Sequence, residues 1–228
     1  MTPNEKHLLE HLARFVSDHK KEFIQKVLEG RTRQITVVME DIYQSQNASA
    51  VIRTSECMGL QDIHIVEQLS KYDINPRVLK GSNKWMTLYR YNDRRINNTE
   101  KCFDSLHDRG YHILVADPDE QGTPIQEVEI DHERKIALVF GNELRGVSQY
   151  GLDKADQRIR IPMYGFTESL NISVSVAICL NTLVSKLHQV PDRTHLSAEE
   201  QEILKLEWYR KIVRRSDLIE REFLRTIQ

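Results

Sequence analysis

The chain has 228 residues, of which 39% are hydrophobic and 29% are charged, and its formal net charge is −2. This balance is typical of a soluble globular protein of one or two domains. It differs from the strongly basic composition that is common among nucleic-acid-binding proteins. Any such role must therefore rest on local basic clusters, and no apolar run approaches the roughly 18 residues of a membrane span. The first residues carry acids and histidines where a secretory signal would be apolar.

The three cysteines, Cys57, Cys102 and Cys179, lie far apart in the sequence. They form neither a Cys-x-x-Cys pair nor any other metal-ligand spacing. Free cysteines are among the residues most often buried. We therefore expect buried, reduced thiols, a cytoplasmic location and no bound metal.

The apolar pattern predicts the elements in chain order, beginning with a helix. From Glu5 to Leu28 the apolar residues fall mostly at helical spacing, and Gly30 is placed to end that helix. Beyond it, short apolar runs predict strands, the last of which Pro162 interrupts. These runs are ITVVMED, DIHIVE, MTLYRY, YHILVAD, KIALVF and RIRIPM.

Helical patterns occupy the segments between and after those strands. NASAVIRTSECMG is predicted to begin with Asn47 as its N-cap and to end at Gly59, and NTEKCFDSLHDRG also ends in a glycine. A long helix is predicted from near Asn171 towards Val190, and Ser197 is a candidate cap for one or two helices in the tail. The segment 68–85 shows no regular pattern.

Strands that alternate with helices predict an α/β fold with a mostly parallel sheet and helices on both faces. The main domain is predicted over residues 31–190, between a helical extension at 1–30 and a second at 191–228. Ligands in such sheets bind beyond the carboxyl ends of the strands, where three loops carry polar residues. These loops span 41–47, 141–147 and 162–170.

The second of these loops, GNELRGV, has nearly the glycine spacing of a phosphate-binding loop. Gly141, Gly146 and Ser148 fit that motif, but Val147 stands where it requires a lysine. No predicted strand is followed by Gly-x-Gly-x-x-Gly. The sequence therefore argues against a P-loop nucleotidase and a nicotinamide dehydrogenase, and the loop must serve another ligand.

Five polar residues in or near these loops each have an ordinary explanation when taken alone. Asn47 and Asn171 are suited to cap helices. Arg53 lies within an apolar helical pattern, where an ion pair would account for it, and Glu143 and Ser169 suit solvated turns. Their order and spacing are nevertheless specific when the five are taken together.

Three stretches resemble the sequence motifs of the SpoU branch of the SPOUT RNA methyltransferases, in order and over residues 35–190. They are NASAVIRTSECMG, LVFGNELRGVS and IPMYGFTESLNISVSVA. Within that family the chain is most similar to the TrmH group, which methylates a tRNA guanosine. Helical extensions at both ends, the stretch GSNKW and the lack of a preceding ribosomal-RNA-binding domain favour that group.

The resemblance implies a fold that the alternation of elements does not suggest. Its C-terminal part would form a trefoil knot, although true knots are nearly absent from proteins. It also implies a homodimer whose active sites are completed across the interface, with S-adenosylmethionine as the methyl donor and tRNA as the partner. The implied reaction is 2'-O-methylation of guanosine 18 in the tRNA D-loop.

The resemblance also implies roles for individual residues. Arg53 stands at the centre of catalysis, and because arginine stays protonated we expect it to pair with the target phosphate and orient the hydroxyl. A role as general base would need a strong shift of its proton by the phosphate and its partners. The implied catalytic residues are Arg53, Asn47, Glu143 and Asn171, the implied donor-binding residues are Ala116, Gly141, Ile161, Leu170 and Ser169, and Arg31 is a candidate contact for a tRNA phosphate.

Two alternatives stay open, because the shared motifs serve the chemistry and do not identify the RNA. One is a SpoU-type enzyme that methylates ribosomal RNA or another tRNA position. The other is an RNA-binding module without catalysis, although such a module would not need the four implied catalytic residues.

Overall fold

We describe the protein from a computed structural model that covers residues 1–130, 134–189 and 196–226. The described residues fall into two compact units, one within 1–31 together with 195–228 and one within 32–194. The helices of the two chain ends, which were predicted as extensions at 1–30 and 191–228, belong to one of these units. Val190, the predicted limit of the long helix, lies outside the described residues.

The elements alternate much as the sequence predicts. In the described residues the helices are α1 (Pro3–Ala13), α2 (Asp18–Glu29), α3 (Ser45–Cys57), α4 (Pro76–Leu79), α5 (Asn98–His107), α6 (Gln149–Lys154), α7 (Ile172–Leu187), α8 (Ala198–Ile212) and α9 (Ser216–Thr226). The strands are β1 (Ile35–Glu40), β2 (Asp62–Val66), β3 (Thr87–Tyr91), β4 (Tyr111–Ala116), β5 (Thr123–Pro124), β6 (Lys135–Phe140) and β7 (Gln157–Arg160).

The described strands form one seven-stranded sheet in the order β3-β2-β1-β6-β4-β7-β5. Each pairing between neighbours in it is parallel. β6 enters between β1 and β4, and β7 enters between β4 and β5, so the last two strands flank β4. Because all the strands run the same way, the loops after β1, β6 and β7 leave from the same edge of the sheet.

Helices cover both faces of this sheet, as predicted. Val37 of β1 packs in the hydrophobic cluster that includes α3 and α7, while its neighbour Val38 packs with α5 on the other face. Both valines are fully buried, which is the burial expected of a strand covered on both sides. The α/β fold with a parallel sheet is therefore confirmed.

The first predicted helix is two helices. α1 ends at Ala13, and α2 begins at Asp18. Each helix buries its own apolar residues, such as Leu12 on α1 and Leu28 on α2, while Phe15 in the connection is largely exposed. The continuous apolar spacing hid this break, because exposed phenylalanines extend the helical pattern without belonging to the core.

Helix caps were predicted with mixed success. Ser197 and Asn171 cap α8 and α7, as expected. Asn47 is not an N-cap, because α3 begins at Ser45 with Gln44 in the cap position. The side chain of Asn47 is therefore available for other partners.

The sequence missed three short elements, namely β5, α6 and the four-residue α4 within the segment 68–85, for which no regular pattern was predicted. β5 has two residues and includes a proline, and α6 has six residues, so neither carries a periodic signal. Ser148 caps α6, and its backbone N–H and its hydroxyl both donate to the buried carboxylate of Glu40 at the end of β1. This contact fixes the far side of the glycine loop against the sheet.

The helical unit has its own core around Trp208 of α8. The indole is 1% exposed, and the guanidinium of Arg31 lies over it, 5.5 Å from the ring centroid. A capping box of Thr2 and Glu5 begins α1, and one of Ser197 and Glu200 begins α8.

Two of the three thiols are buried, Cys102 and Cys179, and burial raises the pKa of both. The prediction was wrong for Cys57, which is exposed at the end of α3. Within the ranges described above, no helix has the length and apolarity that a membrane crossing requires.

Candidate active site at the carboxyl edge of the sheet

The glycine loop after β6 closes on itself as a tight antiparallel turn. The backbone N–H of Asn142 donates to the carbonyl of Gly146 at 2.9 Å, and the N–H of Gly146 donates back at 2.8 Å. A Cβ on Gly141 would lie 2.2 Å from the backbone of Gly146 and Val147, and Gly146 itself has φ +68°. The first glycine is required by this close approach and the second by its left-handed backbone.

The side chain of Asn142 anchors the turn to the loop after β1. Its amide donates to the carbonyl of Asp41 at 2.7 Å, and its oxygen accepts from the backbone N–H of Leu144 at 2.9 Å. Asp41 has φ 54°, and its carboxylate accepts from the three backbone N–H groups of residues 68–70. Asn142 and Asp41 thus join three loops at one edge of the sheet.

Glu143 is held at the start of α3. Its carboxylate accepts from the backbone N–H of Tyr43 at 3.0 Å, from that of Gln44 at 3.3 Å and from the amide of Asn47 at 2.9 Å. A negative charge at a helix N-terminus is also stabilised by the helix dipole. These contacts attach the glycine loop to the first turn of α3.

The pKa of Glu143 follows from the same contacts. Partial burial raises the pKa of this carboxyl, but hydrogen bonds from Asn47 and from backbone N–H groups stabilise its charged form and together outweigh burial. The result is a pKa below the ordinary value of 4.5. Glu143 is therefore an anion at neutral pH.

Asn47 and Asn171 connect this carboxylate to α7. The amide of Asn171 donates to the side-chain oxygen of Asn47 at 3.2 Å. The oxygen of Asn171 accepts from the backbone N–H of Ser173 at 2.9 Å and caps α7. A continuous chain of hydrogen bonds thus runs from Glu143 through Asn47 to Asn171.

A cavity of about 420 Å³ opens beside this chain of hydrogen bonds. That volume lies within the ~300–1,000 Å³ typical of small-molecule sites. The cavity brings together most of the residues that the resemblance implied, from loops up to 124 residues apart in sequence. They are Asn47, Glu143, Asn171, Ala116, Gly141, Ile161, Ser169 and Leu170.

Two implied residues do not line this cavity. Arg53 is exposed on α3, and within the part of the chain that the structure describes it makes no hydrogen bond or ion pair. Arg31 belongs to the helical unit, where it is 1% exposed beside Trp208. A contact between Arg31 and a tRNA phosphate stays a prediction, and it would require this side chain to leave its indole.

The sequence missed Asn142, Asp41 and Cys179 as parts of the site. Asparagine and aspartate directly after strands are a turn signal, but nothing in the sequence indicates that these two meet. Cys179 lies in the wall of the cavity, and burial raises the pKa of its thiol to about 12, so it is not a ready nucleophile. Among the described residues, no group of three or more metal-binding side chains is arranged to hold an ion.

A sequence model of the SpoU rRNA Methylase family matches residues 34–181. That range covers β1 to most of α7 and includes every residue of the cavity. The chain belongs to the SpoU methylase family. The expectation drawn from the three motifs is thereby confirmed.

The similarity of this SpoU-family chain to a curated protein extends over nearly its full length. It is 41% identical to the tRNA (guanosine(18)-2'-O)-methyltransferase of Borreliella burgdorferi, over 92% of this chain and 93% of that protein. The crystal structure titled A. aeolicus TrmH/SpoU tRNA modifying enzyme matches with a TM-score of 0.74 and 29% identity, over 86% of this chain and 98% of that one. An AdoMet-bound rRNA methyltransferase from Sinorhizobium meliloti, at 20% identity and a TM-score of 0.57, covers 71% of this chain and 59% of that one and shares the fold.

We predict that Gly141→Ala destabilises this SpoU-family protein by about 2 kcal/mol or more, because the new Cβ would clash with backbone that cannot move aside. Gly165→Ala is the matched control, since a Cβ there meets nothing within 4 Å. We expect the control to change stability by no more than ~0.5 kcal/mol. Urea unfolding of both variants measures the difference, and equal stability of the two would contradict the close approach.

We also predict that Asn47→Ala raises the pKa of Glu143, because it removes a hydrogen bond to the charged carboxylate. Since the folded-state pKa is depressed, the contribution of Glu143 to stability is complete above the unfolded value near 4.5 and is lost as the pH falls through the lower folded value. Carboxyl NMR titration measures the shift. The exposed Gln46→Ala, on the same turn of α3, should leave the titration unchanged. Identical curves for wild type and Asn47→Ala would refute the assignment.

Proposed function

We propose that this chain transfers the methyl group of S-adenosylmethionine to the ribose 2'-hydroxyl of guanosine 18 in the D-loop of tRNA. The observation that carries the proposal is the intact chain of hydrogen bonds from Glu143 through Asn47 to Asn171 along the wall of the cavity. The names of the relatives agree with it, since the Borreliella burgdorferi protein is named for that reaction.

The cavity suits S-adenosylmethionine. Its wall combines the backbone of Gly141 with the apolar side chains of Ile161 and Leu170, and polar groups stand at Ser169 and Asn171. Mixed walls of this kind, apolar with a few placed polar groups, are usual for small-molecule sites. When bound, this donor supplies a methyl group already activated on a sulfonium, so no metal is needed for the transfer.

The residues of this chain position the acceptor. Glu143 already accepts three hydrogen bonds, so we assign it the role of an anchor for α3 and not that of the base. The guanidinium of Arg53 presents a rigid fork of donors that matches a phosphate. In this role it holds the phosphate of the target nucleotide and orients the 2'-hydroxyl, and alignment of the reacting atoms supplies much of the rate.

The active form is a homodimer in which Arg53 of the partner subunit completes each site. Arg53 does not line the cavity of its own subunit, which supports this arrangement. Apolar side chains at and near the cavity are exposed, with Tyr43 at 71% and Leu144 at 86%, and a second copy would cover them. Val174 on α7 and Leu170 extend the same apolar surface.

The segment from β6 to α7 is threaded as a trefoil knot in this proposal. The strand order supports this threading, because β6 and β7 are each inserted between two strands that precede them in the chain. The knotted loops would be those around 141–147 and 162–171, which supply most of the cavity wall. A cytoplasmic location follows from the tRNA substrate.

Incubation with labelled S-adenosylmethionine and unmodified tRNA, in parallel with ribosomal RNA, tests the reaction. We expect 2'-O-methylguanosine in the tRNA D-loop. Arg53→Lys should lose about 100-fold in rate, because an ammonium lacks the planar fork, while donor binding stays unchanged. Label in ribosomal RNA alone would identify another RNA as the substrate, and donor binding without any label would indicate a binding module. Wild-type turnover by Arg53→Lys would refute the role of the fork.

Mixed dimers test whether Arg53 acts across the interface. Arg53→Ala and Asn171→Ala should each be inactive as pure dimers. A mixed dimer then contains one cavity that is intact and that faces an intact Arg53 of the partner subunit, so activity should return to about half that of wild type per dimer. If Arg53 served its own cavity, neither site of the mixed dimer would be complete, and no activity would return.

A further inference from the structure

A second cavity of about 560 Å³ adjoins the first at the carboxyl ends of β5 and β7. Arg160 and Met163 line both cavities, so the two share a wall. The residues of its wall that matter here are Gln126, Glu127, Arg160 and Tyr164. None of them is among the residues assigned above to the donor or to catalysis.

Tyr164 brings an uncovered aromatic ring to this cavity. It lies in the loop after β7 and is 97% exposed, although tyrosine is normally half-buried or more. Aromatic rings held in this way are the usual platforms on which unpaired RNA bases stack. Phe166, two residues further along the same loop, is equally exposed but does not line the cavity.

Arg160 is oriented by the neighbouring edge of the sheet. Its Nε donates to the carbonyl of Gly122 at 3.0 Å, which fixes the plane of the guanidinium. Within residues 1–130, 134–189 and 196–226, the structure gives no acceptor to its two terminal nitrogens. A guanidinium with two parallel donors matches a pair of adjacent acceptors.

Glu127 lies in a stretch of backbone that is held by hydrogen bonds from a lysine of α7. It closes the short 3₁₀ turn after β5. The ammonium of Lys186 on α7 donates to the carbonyl of Gln126 at 2.6 Å and to that of Val128 at 2.7 Å, on either side of Glu127. The exposed carboxylate of Glu127 is therefore a hydrogen-bond acceptor on backbone whose position is fixed.

We propose that this second cavity binds the guanine base of the nucleotide to be methylated, an inference that rests on the proposed function. Tyr164 stacks on the base, the terminal nitrogens of Arg160 donate to its O6 and N7, and the carboxylate of Glu127 accepts from its N1–H and N2–H. Arginine is the usual partner of guanine O6 and N7. Adenine presents an amino group where Arg160 needs an acceptor and has no N1–H for Glu127, so the same set of groups rejects it.

Methyl transfer to tRNA transcripts with guanosine, inosine or adenosine at the target position tests the base contacts. Inosine lacks only the N2 amino group, so Glu127→Gln should reduce the preference for guanosine over inosine about tenfold. Tyr164→Ala should raise KM for tRNA by about tenfold through loss of stacking, with an unchanged dissociation constant for the donor. Tyr164→Phe retains the ring and should restore KM. Phe166→Ala and Glu129→Gln are the matched controls and should behave as wild type.

A binding measurement separates the base pocket from the reaction. Saturation-transfer NMR with guanosine 5'-monophosphate should give a signal for wild type that Tyr164→Ala and Glu127→Gln weaken, and adenosine 5'-monophosphate should give less signal throughout. If wild type transfers no methyl to tRNA but this guanosine signal is present and depends on both residues, the proposed function fails and the base pocket stands. Unchanged KM, base preference and NMR signals in both variants would overturn the base pocket. A monomeric Tyr164→Ala in light scattering would overturn it as well, because the ring would then serve the contact between subunits.

Discussion

The carboxylate of Glu143 joins the glycine loop after β6 to the first turn of α3, and through Asn47 it reaches the cap of α7. All three segments lie at the same edge of the sheet, although they are far apart in sequence. One half-buried anion that accepts three hydrogen bonds joins them, and these hydrogen bonds lower the pKa of Glu143 because they stabilise its charged form. The shape of the cavity beside it depends on this contact.

The tight turn at Gly141 and Gly146 makes that contact available. Because Gly141 has no Cβ, the chain can reverse directly after β6 and place Glu143 at the N-terminus of α3. Asn142 ties the same turn to Asp41 after β1, and Glu40 holds Ser148 on its far side. The loop therefore presents backbone and a fixed carboxylate, which is how a loop without a P-loop lysine can contribute to a ligand site.

Three arginines discussed above differ in whether they are exposed, line a cavity or lie buried in a core. Arg53 is exposed and lies outside the cavity wall, Arg160 is oriented between two cavities, and Arg31 is buried against Trp208. The same residue type thus serves three different environments, and only the structure separates them. Among the described residues Arg53 does not line the cavity, and the homodimer proposed above would supply it from a second subunit.

The sequence by itself determined the fold class, the order of most elements and eight of the residues that line the cavity, because strand and helix periodicity and the three motifs are local properties of the chain. It could not detect the break between α1 and α2 or the short β5 and α6, because exposed phenylalanines imitate a helix and short elements carry no period. It mistook Asn47 for a cap, since a cap and a side chain that bonds a distant carboxylate look alike in one dimension. Only the tertiary structure decided that Asn142 meets Asp41, that Cys57 is exposed, and that Tyr164, Arg160 and Glu127 border one cavity, because these are contacts between segments far apart in sequence.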